Sequence, residues 1–273
     1  MLNFNQWTFP ALAWSLLTLI GLCYLYVWRQ TRSNIRQNLC FFGGLGLSAI
    51  LIASPLHVLG QQQLFFVRMF EYMCQVYIIG AILLQGIPAT WLEKLWIHPQ
   101  GQIFLKWSNG LLISSIGFNA CFFLLHYPPV YNQVLQHPWL DQVVFVGLLL
   151  LSLLMWTPLF SRAQVLRLPM ARQMFYVVLL VLGQVPVFAL ITFSDQTLYP
   201  IYLQRDGSLE ISILADQQLG GWMLKVGSSV AFAAAFIPIF LNWNRQQRQQ
   251  DRSQNQVAYE NMDLIKQAKP RKG

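Results

Sequence analysis

The sequence predicts an all-α, polytopic membrane protein of seven transmembrane helices, with the amino terminus outside and the carboxyl terminus in the cytoplasm. Three observations carry this reading. Of 273 residues, 55% are hydrophobic and only 10% charged, whereas roughly a quarter of a soluble domain is charged. Seven apolar runs approach the roughly 20 residues that a helix needs to cross a hydrocarbon core about 30 Å thick. Lys and Arg gather in alternate connections between those runs, so the net charge of +8 reads as topology rather than as a nucleic-acid face.

The first run, 9–28, has no Lys or Arg before it and no small-residue cleavage site after it, so it is expected to remain as a span rather than leave as a signal peptide. The others are 39–59, 64–87, 103–125, 143–160, 174–193 and 222–243. None alternates with period two, which favours helices over barrel strands. Pro10, Pro55, Pro158, Pro186 and Pro238 lie in or at the ends of these runs, where neighbouring helices can satisfy the freed carbonyls. Residues 1–243 are thus expected to form one transmembrane domain. Residues 244–273, rich in Gln, Asn and charge, are expected to be a basic cytoplasmic tail that frays into disorder or lies on anionic lipid.

Orientation follows from the connections. The first, third and fifth, with the tail, hold fifteen Lys and Arg, among them Arg29, Arg36, Lys94, Arg162 and Arg245. The opposite side carries Arg205 alone, with Asp141, Asp195, Asp206, Glu210 and Asp216. The excess marks the cytoplasmic side. Cys23, Cys40, Cys74 and Cys121 sit in apolar runs without CxxC spacing, which argues against a disulfide framework or a zinc site.

The third run is the informative one. Arg68, Glu71, Tyr72 and Gln75 fall at i, i+3, i+4 and i+7, so one helical face carries an intramembrane polar stripe. Such residues face a bundle interior or a wet cavity, and the stripe reads equally as a packing ion pair or as a site. Lys225, three residues inside the seventh run, reads as a snorkelling side chain, with an ion pair to Glu71 as the alternative. His57, His126 and His137 are expected at the outer surface. Imidazole and the thioethers of Met69 and Met223 would suit copper(I), yet no HxxxH or CxxC pattern joins them, which favours interfacial hydrogen bonding and core packing. The connection 194–221 ends in Asp216-Gln217-Gln218-Leu219-Gly220-Gly221, expected to be a pinned outer loop.

Several blocks together resemble the CtaG family of bacterial cytochrome c oxidase assembly factors, the type associated with caa3 oxidases. They are Ser54-Pro55-Leu56 followed by Leu64-Phe65 and Arg68-Met69; Gly86-Ile87-Pro88; His126-Tyr127-Pro128 with Tyr131; Met155-Trp156-Thr157-Pro158; and Leu198-Tyr199-Pro200 leading to Asp216-Gln217-Gln218-Leu219-Gly220-Gly221 and Met223. The resemblance implies a multi-pass protein of the bacterial plasma (inner) membrane that is not an enzyme. It would partner haem-copper oxidase subunits within the lipid bilayer, and would either help copper reach the oxidase or hold its subunits until copper arrives. The resemblance implies a His pair at i, i+4 on the third helix, where this chain has Arg68 and Tyr72. The second His cluster, near the start of the fifth helix, is replaced by Trp139-Leu140-Asp141-Gln142. Holding is therefore favoured over copper ligation, with Asp216, Gln217, Gln218, Gly220 and Gly221 shaping the outer face that meets a partner. His57, His126, His137, Met69 and Met223 remain as candidate ligands. A small-solute or ion transporter is the alternative, although no pair of related halves with interrupted helices is evident.

Overall fold

The structure, a computed structural model, describes residues 7–31, 34–103, 110–204 and 210–268. Among these no strand occurs, and helices make up most of the described chain. Among the described residues six helical stretches are long and apolar enough to cross a membrane. They are α1 (Ala11–Thr31), α2 (Ile35–Ala53), a broken third span, α9 (Pro138–Phe160), the pair α10 (Met170–Gly183) and α11 (Val185–Thr192), and the start of α12 (Ile213–Ala268). The third span joins α4 (Phe65–Met73) to α5 (Gly80–Gly86) through a π-helical turn, Cys74–Ile79. Between the spans lie α3 (Pro55–Gln62) and α6 (Ala89–Ile97). A seventh span exists if α7 (Leu111–His126) and α8 (Pro128–Gln136), bent by 66° at Tyr127, are counted together.

Where the boundaries differ from the sequence expectation, the cause is local backbone chemistry. The run 39–59 breaks at Ser54, which is extended (φ −70°, ψ 155°) because Pro55 disfavours helix at the residue before it. The chain then restarts as α3 with Pro55 in its first turn, and His57 enters the bundle with it. Tyr127 ahead of Pro128 and Pro129 bends α7 into α8 in the same way, and α7 alone is shorter than a bilayer crossing. The start expected near 103 for this span falls partly on 104–109, outside the described residues. Helix α9 begins at Pro138, five residues ahead of the expected start, so Asp141 sits in its first turn. Helix α12 begins at Ile213, nine residues early, and takes Asp216–Gly221 out of the expected loop. Within the expected tail, residues 244–268 continue α12 as helix to Ala268; they contain neither Gly nor Pro and are rich in Gln and Arg.

The third span is the bundle's centre, two-thirds buried along its length. Its π turn sets the Val76 carbonyl to accept from Trp156 Nε1 at 3.0 Å and from Ser152 Oγ of α9. Such turns widen the helix and leave carbonyls open to side chains. Gln75 beside it donates from Nε2 to Ser48 Oγ at 2.9 Å and to the Phe145 carbonyl at 3.1 Å, tying α2 and α9 to the same turn. Gly44 lets α2 approach Leu83 closely, as small residues do in membrane helices. One apolar cluster, including Met69, Trp156, Tyr176 and Phe232, joins the third span to α9, α10 and α12, and a second, including Leu17, Phe41 and Leu149, packs α1 and α2 onto the third span and α9.

Candidate functional site

Arg68, Glu71, Tyr72 and Gln75 are all at most 1% exposed and line one face of the third span. The helical spacing sets Arg68 Nη1 2.9 Å from Glu71 Oε2, while Arg68 Nη2 donates to Asp141 Oδ1 on α9. Gln61 Nε2 donates to the second Asp141 oxygen at 2.5 Å. The guanidinium carbon stands 4.8 Å from the centroid of the Tyr72 ring, a cation–π contact. A charge buried this deeply survives only with partners, and here two carboxylates and an aromatic face provide them.

His57 closes the centre. Its Nδ1 lies 2.9 Å from Arg68 Nη1 and 3.3 Å from Glu71 Oε1, and its Nε2 lies 3.3 Å from Asp141 Oδ2. Burial above all, helped by the adjacent guanidinium, holds the imidazole below its ordinary range against the pull of Glu71. A neutral ring with its proton on Nε2 fits this geometry, accepting from Arg68 and donating to Asp141. The expectation that His57 lies at the outer surface is thus corrected, because the Ser54–Pro55 break turns α3 inward. His126 is corrected likewise. It is fully buried against Tyr72 and Phe122, with Nδ1 donating to the Phe122 carbonyl at 2.7 Å.

A second layer rests on this centre. Tyr131 and Tyr202 share a hydroxyl hydrogen bond of 2.8 Å, and Tyr202 donates to the Gly60 carbonyl at 2.7 Å. Tyr199 stacks on Phe65 with ring centroids 4.6 Å apart and donates to the His126 carbonyl at 2.8 Å.

The block expected as an outer loop and partner face turns inward. Asp216 Oδ2 and Oδ1 accept the backbone amides of Phe65 and Phe66 at 2.9 and 3.0 Å, capping α4 from a helix 150 residues distant in the chain. Gln217 Oε1 accepts the Leu198 amide at 2.7 Å, and its Nε2 donates to the Ile191 and Gln196 carbonyls at 3.3 Å. Gln218 Nε2 donates to the Ser194 carbonyl at 3.4 Å. Gly220 faces Phe65 and Met69, and Gly221 faces Thr192, with no room for a Cβ at either. Of the block only Leu219 is exposed.

The candidate copper ligands do not converge. Among the described residues no group of three or more His, Cys, Asp or Glu is placed to hold a metal ion. His137 is exposed at the amino end of α9, and Met223 is half-buried on α12. Met69 is fully buried with its Cγ toward Gly220. A guanidinium offers no lone pair, and both His57 nitrogens are engaged, so the third span does not fit copper. Lys225, half-buried beside Gln184 and Ser228, lines a small crevice, while Glu71 is taken by Arg68 and His57.

Sequence reasoning missed Asp141 and Gln61. The available signal for Asp141 was Pro138, a favoured first residue of a helix, which would have moved the fifth span's start and placed a carboxylate inside it.

Together the fold and this centre define a polytopic helical membrane protein whose charged groups lock its own spans together. The family model for the cytochrome c oxidase caa3 assembly factor (Caa3_CtaG) matches residues 22–246, and the chain belongs to that family of oxidase assembly factors. No curated protein and no solved structure matches it.

Proposed function

We propose that this assembly factor acts by holding subunits of a haem-copper oxidase while the enzyme is built in the bacterial plasma membrane. It is read as a scaffold rather than a catalyst, and not as a copper carrier through its third span. The orientation proposed is amino terminus outside and tail inside, from the one-sided distribution of Lys and Arg. One observation carries the scaffold reading: Arg68, at a position where the family resemblance implies an imidazole, is fully buried between Glu71, Asp141 and His57. A cation there repels a metal ion and removes two carboxylates and an imidazole from its reach. The same contacts join α3, the third span and α9 into a rigid frame.

The test is the copper(I) content of the purified protein, before and after Arg68→His with Tyr72→His. The scaffold reading expects sub-stoichiometric copper in the unmodified chain. One copper per chain, lost on His126→Ala or His57→Ala, would show instead that the ligands have moved to other residues.

A further inference from the structure

We infer that the groove between α1, α9 and α6 is a binding site for one anionic phospholipid, with an acyl chain in the groove and the headgroup at the bundle's basic end. The groove has a volume of about 490 Å³. Leu19, Cys23 and Val27 of α1 form one wall, and Leu150 and Leu154 of α9 the other. Leu84 and Ile87, where the third span ends, also line it, and Trp91 and Leu95 of α6 bound one end.

Three features select the occupant. The first is polarity. Only Tyr24 and Thr157 bring hydroxyls to the walls, and both are satisfied within the protein. Tyr24 bonds Asn38 Oδ1 at 2.9 Å and the Gly86 carbonyl at 3.0 Å; Thr157 donates to the Leu153 carbonyl at 2.7 Å. Apart from the Trp91 indole N–H the walls offer a guest no free donor, so one rich in carbonyls or carboxylates would bury most of them unpaired here, whereas a hydrocarbon chain loses nothing. The second is length. From Leu19 to Arg29 is ten residues of helix, about 15 Å, which matches the hydrocarbon of one leaflet, about half of a 30 Å core. A spanning helix of another subunit would need twice that and would meet α6. The third is charge. Arg29, in the last turn of α1, and Lys94, one turn from Trp91 on α6, are both exposed at the end where the groove meets α6. Glu93 is also exposed beside Lys94, so a headgroup at this end meets two cations against one carboxylate, a balance that favours an anionic lipid over a zwitterionic one.

The experiment uses the full-length protein, delipidated in detergent and then mixed with equal amounts of phosphatidylglycerol and phosphatidylcholine. Retained lipid is counted by native mass spectrometry. The expected result is one lipid per chain, with phosphatidylglycerol preferred by about fivefold or more. Leu154→Trp, which fills the groove, should abolish retention. Alkylating Cys23 in folded Cys40→Ser, Cys74→Ser, Cys121→Ser protein adds bulk only after folding and should do the same, so a folding defect in the Trp variant leaves the question decidable. Arg29→Gln with Lys94→Gln should keep one lipid but lose the preference. No retained lipid in the unmodified protein, or retention unchanged after Cys23 is alkylated, overturns the site. Equal retention of the two lipids by the unmodified protein overturns the headgroup assignment.

Discussion

Arg68 and Asp141, 73 residues apart in the chain, pair through a guanidinium Nη2 and a carboxylate Oδ1 that are both fully buried between the third span and α9. The pair is part of a centre in which Glu71 shares the same guanidinium and His57 touches both carboxylates. Removing the cation therefore does more damage than removing either anion. Arg68→Gln leaves two carboxylates facing each other and should cost about 3–5 kcal/mol, read as thermal unfolding in detergent. Asp141→Asn and Glu71→Gln each leave one ion pair and should cost less. In the double variant Arg68→Gln, Glu71→Gln the loss should be smaller than the sum of the single losses; strict additivity would mean the two side chains do not interact.

The cap on α4 gives a second prediction. Asp216→Ala strands the Phe65 and Phe66 amides at a buried helix start and should cost about 1–2 kcal/mol. Asp216→Asn, which keeps one accepting oxygen, should lose part of that. An Ala variant as stable as the unmodified protein would show that the amides find other partners.

How much of this was legible beforehand depended on sequence distance. The polar stripe on the third span could be read because helical period alone sets Arg68 and Glu71 together. Most of the span count followed from apolar run length, and the family resemblance from short blocks scattered along the chain. In the sequence Asp141 and Asp216 look like outer-loop charges because each precedes its apolar run, and hydropathy sees only the run. Their roles depend on helices starting early, at Pro138 and Ile213, and on partners 73 and 150 residues away. His57 was hidden by the Ser54–Pro55 break, which a hydropathy count smooths over.

Glycines separate packing from flexibility. Gly220→Ala and Gly221→Ala force a methyl group against Phe65 and Thr192 and should each destabilise by about 1–3 kcal/mol. Gly117 and Gly147, also helical, have nothing within 4 Å of an added Cβ. Ala at these two positions should hold stability or raise it by about 1 kcal/mol, since Gly is costly inside a helix. Equal effects at all four sites would remove the packing explanation.

The charge distribution predicts the sidedness of the bundle. A reporter at residue 1 should be accessible from outside the cell, and one after Gly273 only from inside. Labelling of Arg162→Cys by an impermeant thiol reagent in intact cells would reverse the assignment.

The scaffold account is tested most directly by the amount of assembled oxidase in a strain lacking this gene, measured by haem spectrum and subunit blot with and without added copper. The account predicts that oxidase subunits fail to accumulate, that extra copper restores nothing, and that a plasmid copy of the gene restores assembly. Recovery of assembled oxidase by copper alone would contradict it and place this chain among copper suppliers instead.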